Sequence, residues 1–122
     1  MCTSRCVMCT WNQWTRKPNI MKNDVFEKIL TKFLPYREHL NYLTLHGNGE
    51  PLLDSGLPEK IKFAKKLNFR RTGFATNCTE LNESMSRKLI EAKLDTIICS
   101  IDGIKKETHE AIEKGLINLA DD

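Results

Sequence analysis

Three cysteines fall within the first nine residues, Met1-Cys2-Thr3-Ser4-Arg5-Cys6-Val7-Met8-Cys9, at the spacing Cys-x3-Cys-x2-Cys. The stretch has no periodic apolar pattern, so it reads as a loop able to fold back and aim three thiolates at one small object. Thiolates are soft ligands whose usual partners are zinc or an iron–sulfur cluster. A structural zinc wants four ligands, and no further Cys or His follows within the next several residues. The spacing by itself leaves three readings open. They are a chance grouping of structural thiols, a zinc site completed from afar by Cys78, Cys99 or a histidine, and a cubane cluster with one iron left for another ligand.

Composition narrows the setting. Five cysteines is an odd count, and crowding three of them into one loop is unlike a secreted disulfide framework. Neither a signal peptide nor a spanning stretch is visible, and the expected compartment is a reducing cytoplasm. A chain of 122 residues, 40% hydrophobic and 29% charged, makes one globular domain at most. Nineteen basic against sixteen acidic side chains give a net charge of +3, which calls for neither nucleic acid nor a membrane as partner. The one basic concentration, Lys60, Lys62, Lys65, Lys66, Arg70 and Arg71, is interleaved with Ile61, Ala64 and Leu67. It reads as the wet face of an amphipathic helix.

Along the chain, Thr10 to Asn19 is polar and aromatic and is expected to be an ordered loop. Asn23 or Asp24 can cap a helix, with Val25, Phe26, Ile29, Leu30 and Phe33 at helical spacing behind it. Pro35 is expected to end that helix. Tyr42 to His46 reads as a short strand that runs into Gly47-Asn48-Gly49-Glu50-Pro51. A second helix is expected from about Pro58 to Asn68, a strand over Thr72 to Thr76, and a third helix from about Asn82 to Ala92. Thr96 to Ile101 is a continuous apolar strand, and a last helix from near Lys106 would stop at Gly115. Strands alternating with helices at this interval are the pattern of β-α units with a parallel sheet.

Ligands of parallel α/β folds gather at the carboxyl ends of the strands. All three expected strands end in small, polar or acidic residues: Gly47-Asn48-Gly49-Glu50-Pro51, Thr76-Asn77-Cys78-Thr79, and Ser100-Ile101-Asp102-Gly103. Together with the cysteine loop, in this order, these stretches resemble the motifs of radical S-adenosylmethionine enzymes, most closely the branch with a C-terminal auxiliary iron–sulfur domain (the SPASM-type maturases). The fold class so implied is α/β, a partial parallel (β/α) barrel of about three strands.

The resemblance implies roles for individual residues. Cys2, Cys6 and Cys9 would ligate a [4Fe-4S] cluster, and S-adenosylmethionine would chelate the remaining iron through its amino and carboxylate groups. Gly47, Gly49 and Glu50 look like the motif that receives the methionine amino group, the glycines allowing close approach and Glu50 accepting from the ammonium. Ser100 and Asp102 are similar to strand-end positions that face the ribose hydroxyls or the carboxylate. Asn77 belongs to the same rim, and Met8 stands where the family places a residue near the adenine. The cofactors would carry reductive cleavage and hydrogen abstraction, so no protein general base or nucleophile is named. The partners that the resemblance implies are a substrate, a peptide in that branch, and an electron donor such as a flavodoxin or ferredoxin.

Cys78 stands where the family often has glycine and is expected to be a small buried residue. Cys99 is expected in the core, His109 in a packing or surface role, and His46 in a structural hydrogen bond. The family's first strand would precede Met1 and its last two units would follow this chain, so the expectation is an internal piece of such a barrel. The competing class is a non-enzymatic metal-binding or electron-transfer module built on the same three cysteines, or an inactive fragment. Such a carrier needs neither a glutamate motif nor a ribose-facing acid.

Overall fold

Three parallel strands, β1 (Leu43–Thr44), β2 (Thr72–Thr76) and β3 (Thr96–Cys99), form one sheet in the order β1-β2-β3. The computed structural model describes residues 1–113, with helices α1 (Asn23–Lys32), α2 (Leu57–Lys66), α3 (Glu83–Glu91) and α4 (Lys106–Glu113). The expected stop of α4 at Gly115 lies outside the described residues. Leu43 pairs with Thr72 and Thr44 with Gly73, while β2 pairs with β3 from Gly73↔Thr96 to Thr76↔Cys99. The sheet therefore carries the alternating parallel architecture that the sequence pattern predicts.

The boundaries of β2 match those read from the sequence, but β1 is shorter than the expected Tyr42–His46. Its pairing nonetheless continues. Leu45 N donates to Gly73 O at 2.9 Å, and His46 offers ring Nδ1 to Ala75 N at 3.1 Å in place of a backbone carbonyl. The main chain is thus released into the glycine loop two residues early, with the side chain covering the donor it abandons. Strand β3 stops at Cys99 instead of Ile101, although Ser100 N still reaches Thr76 O at 2.8 Å. Two short 3-10 turns, Thr10–Gln13 and Leu34–His39, occupy stretches where no helix was expected; Pro35 ends α1 and begins the second of them.

The core has two parts joined by α2. Leu52, Leu57, Ile61, Phe74, Leu89 and Ala92 form the larger cluster between β2, α2 and α3. Leu30, Ala64 and Phe69 form the smaller one between α1 and α2. Ile61 and Ala64 are both fully buried, so α2 is packed on two sides. The basic stretch is otherwise the wet face expected of it, with Lys62, Lys66, Arg70 and Arg71 exposed, and Lys60 is the exception. Lys60 is 5% exposed, and its Nζ donates to Asp54 Oδ2 and to Met21 O. A cation this deep persists because it is paired and hydrogen-bonded.

At the amino-terminal edge of β2, Asp95 Oδ2 accepts from Thr72 N at 2.6 Å, Thr72 Oγ1 at 3.0 Å and Lys65 Nζ. Partial burial works against this carboxylate, but the bonds to Lys65 and Thr72 outweigh it and hold its pKa below the ordinary value. Thr72 is fully buried, so removing the acceptor strands a hydroxyl and an amide. Asp95→Ala is expected to cost about 1–3 kcal/mol in chemical denaturation. Because the folded pKa is depressed, the carboxylate's contribution is present above its unfolded pKa and is lost as pH falls through the folded one. The gap between wild type and Asp95→Ala should therefore narrow below about pH 4; a gap that widens there would contradict the assignment.

Candidate cofactor site

The Gly47-Asn48-Gly49-Glu50 loop leaves β1 and turns under the amino-terminal segment. Gly49 has φ +113°, and a Cβ there would come within 2.3 Å of Met1 O. That carbonyl accepts from Glu50 N at 2.8 Å, so glycine at 49 is what lets the two backbones meet. Gly47 differs, since a Cβ on it would face open space. The loop also lines a cleft of about 420 Å³ that reaches Met21, Leu57 and Lys60.

Glu50 is 6% exposed and its carboxylate is engaged by its own chain. Oε1 accepts from Leu52 N at 3.0 Å and Thr76 Oγ1 at 2.6 Å, and Oε2 accepts from Asn77 N at 2.9 Å. These bonds cap the 3-10 turn Pro51–Leu53 and tie the end of β1 to the end of β2. Asn77 carries the connection onward. Its Nδ2 donates to Thr3 Oγ1 at 2.8 Å and Ser4 Oγ at 2.9 Å, while Oδ1 accepts from Thr79 N and Thr79 Oγ1. Thr3 and Ser4, the buried residues between Cys2 and Cys6, are thus clamped to the rim of β2.

The third anchor lies beyond β3. Ser4 Oγ donates to Glu113 Oε2 at 3.1 Å, and Val7 N donates to Ile112 O at 2.9 Å, both on α4. Cys6 Sγ and carboxylate oxygens of Asp102 and Glu113 lie within 4.8 Å of one another. Burial, and then the charges of Glu113, Cys2, Asp102 and Cys9, push the Cys6 thiol above its ordinary pKa. Cys9 Sγ accepts from Trp11 N at 3.4 Å. No cysteine is in a disulfide, and Cys2, Cys6 and Cys9 are all half-buried.

The residues named from sequence are therefore grouped unevenly. Cys6 meets Asp102, Gly49 meets the backbone of Met1, and Glu50 meets Asn77; Met8 and Ser100 are exposed. Cys99 is a correction, because it is exposed on β3, whose outer edge has no neighbour among the described residues. Cys78 is half-buried at φ +64°, in keeping with a slot that favours glycine, and burial followed by the Cys99 thiol raises its pKa to about 11. Thr3, Ser4 and Glu113 were not foreseen, and Thr76 was marked only as part of a strand-end motif. Hydroxyl residues in the gap between two closely spaced cysteines are a faint signal for the first two, and Glu113 has none.

The family model for the "Radical SAM superfamily" matches residues 1–118. This chain belongs to the radical SAM superfamily. Members are enzymes, and membership implies S-adenosylmethionine and a [4Fe-4S] cluster as cofactors. A "7,8-dihydro-6-hydroxymethylpterin dimethyltransferase" of Methanocaldococcus jannaschii is 32% identical over 115 residues, 88% of this chain and 22% of that protein. A UPF0026 protein of Synechocystis is 28% identical over 97% of this chain and 45% of its own length. The crystal structure of BtrN in complex with AdoMet and 2-DOIA has the same fold, with TM-score 0.70 and 21% identity over 80% of this chain and 40% of that one. The chain thus spans less than half of each of these proteins.

The radical SAM cofactors fit the residues present. Three half-buried thiols share one loop, and Cys6 is crowded by negative charge that a cationic metal group would relieve. The Gly47 position leaves open the space that a Cβ would enter. The two glycines consequently separate in a test. Gly49→Ala should displace the Met1 segment, lowering the melting temperature and speeding amide exchange at Glu50. Gly47→Ala should leave both near wild type, and an equal loss in the two variants would refute the distinction.

Proposed function

We propose that Cys2, Cys6 and Cys9 hold a [4Fe-4S] cluster and that the rim of the sheet binds S-adenosylmethionine beside it. The observation that supports this most is the attachment of one cysteine loop to Glu50, Asn77 and Glu113, residues that follow three different strands. When bound, the cluster and S-adenosylmethionine supply reductive carbon–sulfur cleavage and abstraction of a hydrogen atom from substrate.

The chain's own residues bind and orient. Gly47 leaves its backbone open to the methionine moiety, and Gly49 keeps the loop pressed against Met1. An ionised carboxylate has about four lone-pair sites, and Glu50 has three taken by Leu52, Thr76 and Asn77. The remaining site is the one Glu50 would offer to the methionine ammonium, so most of its charge serves to set the rim. Asp102 and Ser100 would accept from the ribose hydroxyls, and exposed Met8 would lie against the adenine. Asn77 would act mainly by holding the cysteine loop against the rim.

A flavodoxin or ferredoxin as reductant and a cytoplasmic setting accompany this reading. The substrate reading that follows from the resemblance to SPASM-type maturases is a peptide, matured by hydrogen abstraction. A pterin is the second reading, favoured by the 32% identity to a pterin methyltransferase.

After anaerobic reconstitution, iron and sulfide analysis with electron paramagnetic resonance should show a cluster in wild type, Cys78→Ala and Cys99→Ala. It should be lost from single Ala variants of Cys2, Cys6 or Cys9; full cluster content in Cys6→Ala would sink the ligand assignment. In calorimetry, Asp102→Asn should weaken S-adenosylmethionine binding by roughly tenfold, the scale of one hydrogen bond to a charged group. A protein that holds the cluster yet binds no S-adenosylmethionine would instead be an electron-transfer module.

A further inference from the structure

Glu113 is 3% exposed at the last described turn of α4, and among the described residues the basic side chain beside its carboxylate is His109. Oε2 accepts from the Ser4 hydroxyl at 3.1 Å and stands 3.6 Å from His109 Nε2. Among the described residues, the other ionisable groups beside it, Cys6 and Asp102, are acidic, and their ligand atoms lie within 4.8 Å of its carboxylate. Buried charges are costly unless well paired. A neutral amide could accept the Ser4 hydrogen bond and fill the same volume. The charge is therefore more than the loop's packing requires.

We propose that Glu113 sets the reduction potential of the cluster held by Cys2, Cys6 and Cys9, acting as a fixed negative charge packed against the Cys6 ligand. This rests on the cysteine assignment above. Cluster potentials respond to net charge, to hydrogen bonds at sulfur and to solvent exposure. Adding an electron beside a fixed negative charge is unfavourable, and the more so in a poorly solvated site. Glu113 accordingly lowers the potential, which makes the reduced cluster a stronger donor. Asp102 has the same sign but is half-buried, so water screens it better. The position also makes Glu113 sensitive to the loop, because Val7 N bonds Ile112 O one residue before it.

The test is a redox titration of the reconstituted protein, followed by electron paramagnetic resonance without S-adenosylmethionine. Glu113→Gln keeps the acceptor for Ser4 and removes the charge; Glu113→Asp keeps the charge and draws it back by one methylene. Glu110→Gln, on the same helix but 58% exposed and paired with Lys106, is the control. The expected midpoint is most positive in Glu113→Gln, intermediate in Glu113→Asp and unchanged in Glu110→Gln, each with wild-type iron content. Equal midpoints across the series would overturn the proposal, and so would loss of the cluster from both Glu113 variants, which would make the residue purely structural. Full cluster in Cys6→Ala would instead remove the ligand assignment beneath it, so the two failures are distinguishable.

Discussion

The Glu50 carboxylate accepts three hydrogen bonds while 6% exposed, and the geometry of the rim follows from that set. Bonds to an ionised acceptor are stronger than neutral ones, and losing the one from Leu52 N or from Thr76 Oγ1 would leave a buried donor without a partner. They join the end of β1 to Thr76 and Asn77 at the end of β2. With its backbone so held, Asn77 can turn its amide nitrogen to Thr3 and Ser4. The position of the cysteines thus depends on a glutamate more than forty residues away in sequence. In the family resemblance Glu50 is a cofactor contact; here its larger share of work is to build the platform on which the contact would be made.

Position and neighbours divide the five thiols into two sets. Cys6 is crowded by Glu113, Cys2, Asp102 and Cys9 on a loop with three similar side chains, an arrangement that a cationic metal group would relieve. Cys78 and Cys99 are a pair at the ends of β2 and β3. Burial and then the Cys99 thiol raise the Cys78 pKa to about 11, so its charge perturbation comes from Cys99 and Glu50 and not from the cysteine loop. The nearby Glu50 carboxylate, moreover, is already committed to the rim.

Much of this architecture was legible in the sequence because strands and helices end in distinct chemistry. β2 was bounded correctly since Asn77 and Cys78 break the apolar run, and the alternation of elements gave the parallel sheet. What escaped depends on contacts between distant segments. Helical spacing marks Lys60 as polar, but only the approach of Asp54 and Met21 makes it a buried cation. Cys99 has core composition, yet β3 has no neighbour on its outer edge among the described residues. His46 could be assigned a structural bond, although not that its ring would stand in for a strand carbonyl. At the site, the cysteines and glycines announce themselves by spacing. Thr3, Ser4 and Glu113 do not, because one hydroxyl or carboxylate acquires a role only when its partner arrives from elsewhere.

The central claim is that the cysteine loop is held ready by the rim rather than organised by the metal alone. Amide hydrogen exchange of the metal-free protein, comparing wild type with Asn77→Ala, tests it most directly. The account predicts much faster exchange across residues 3–9 in the variant, with amides of α2 and the adjoining core of β2 nearly as protected as in wild type. Equal exchange of the loop in the two proteins would contradict it, and would leave the arrangement of the thiols to the cluster itself.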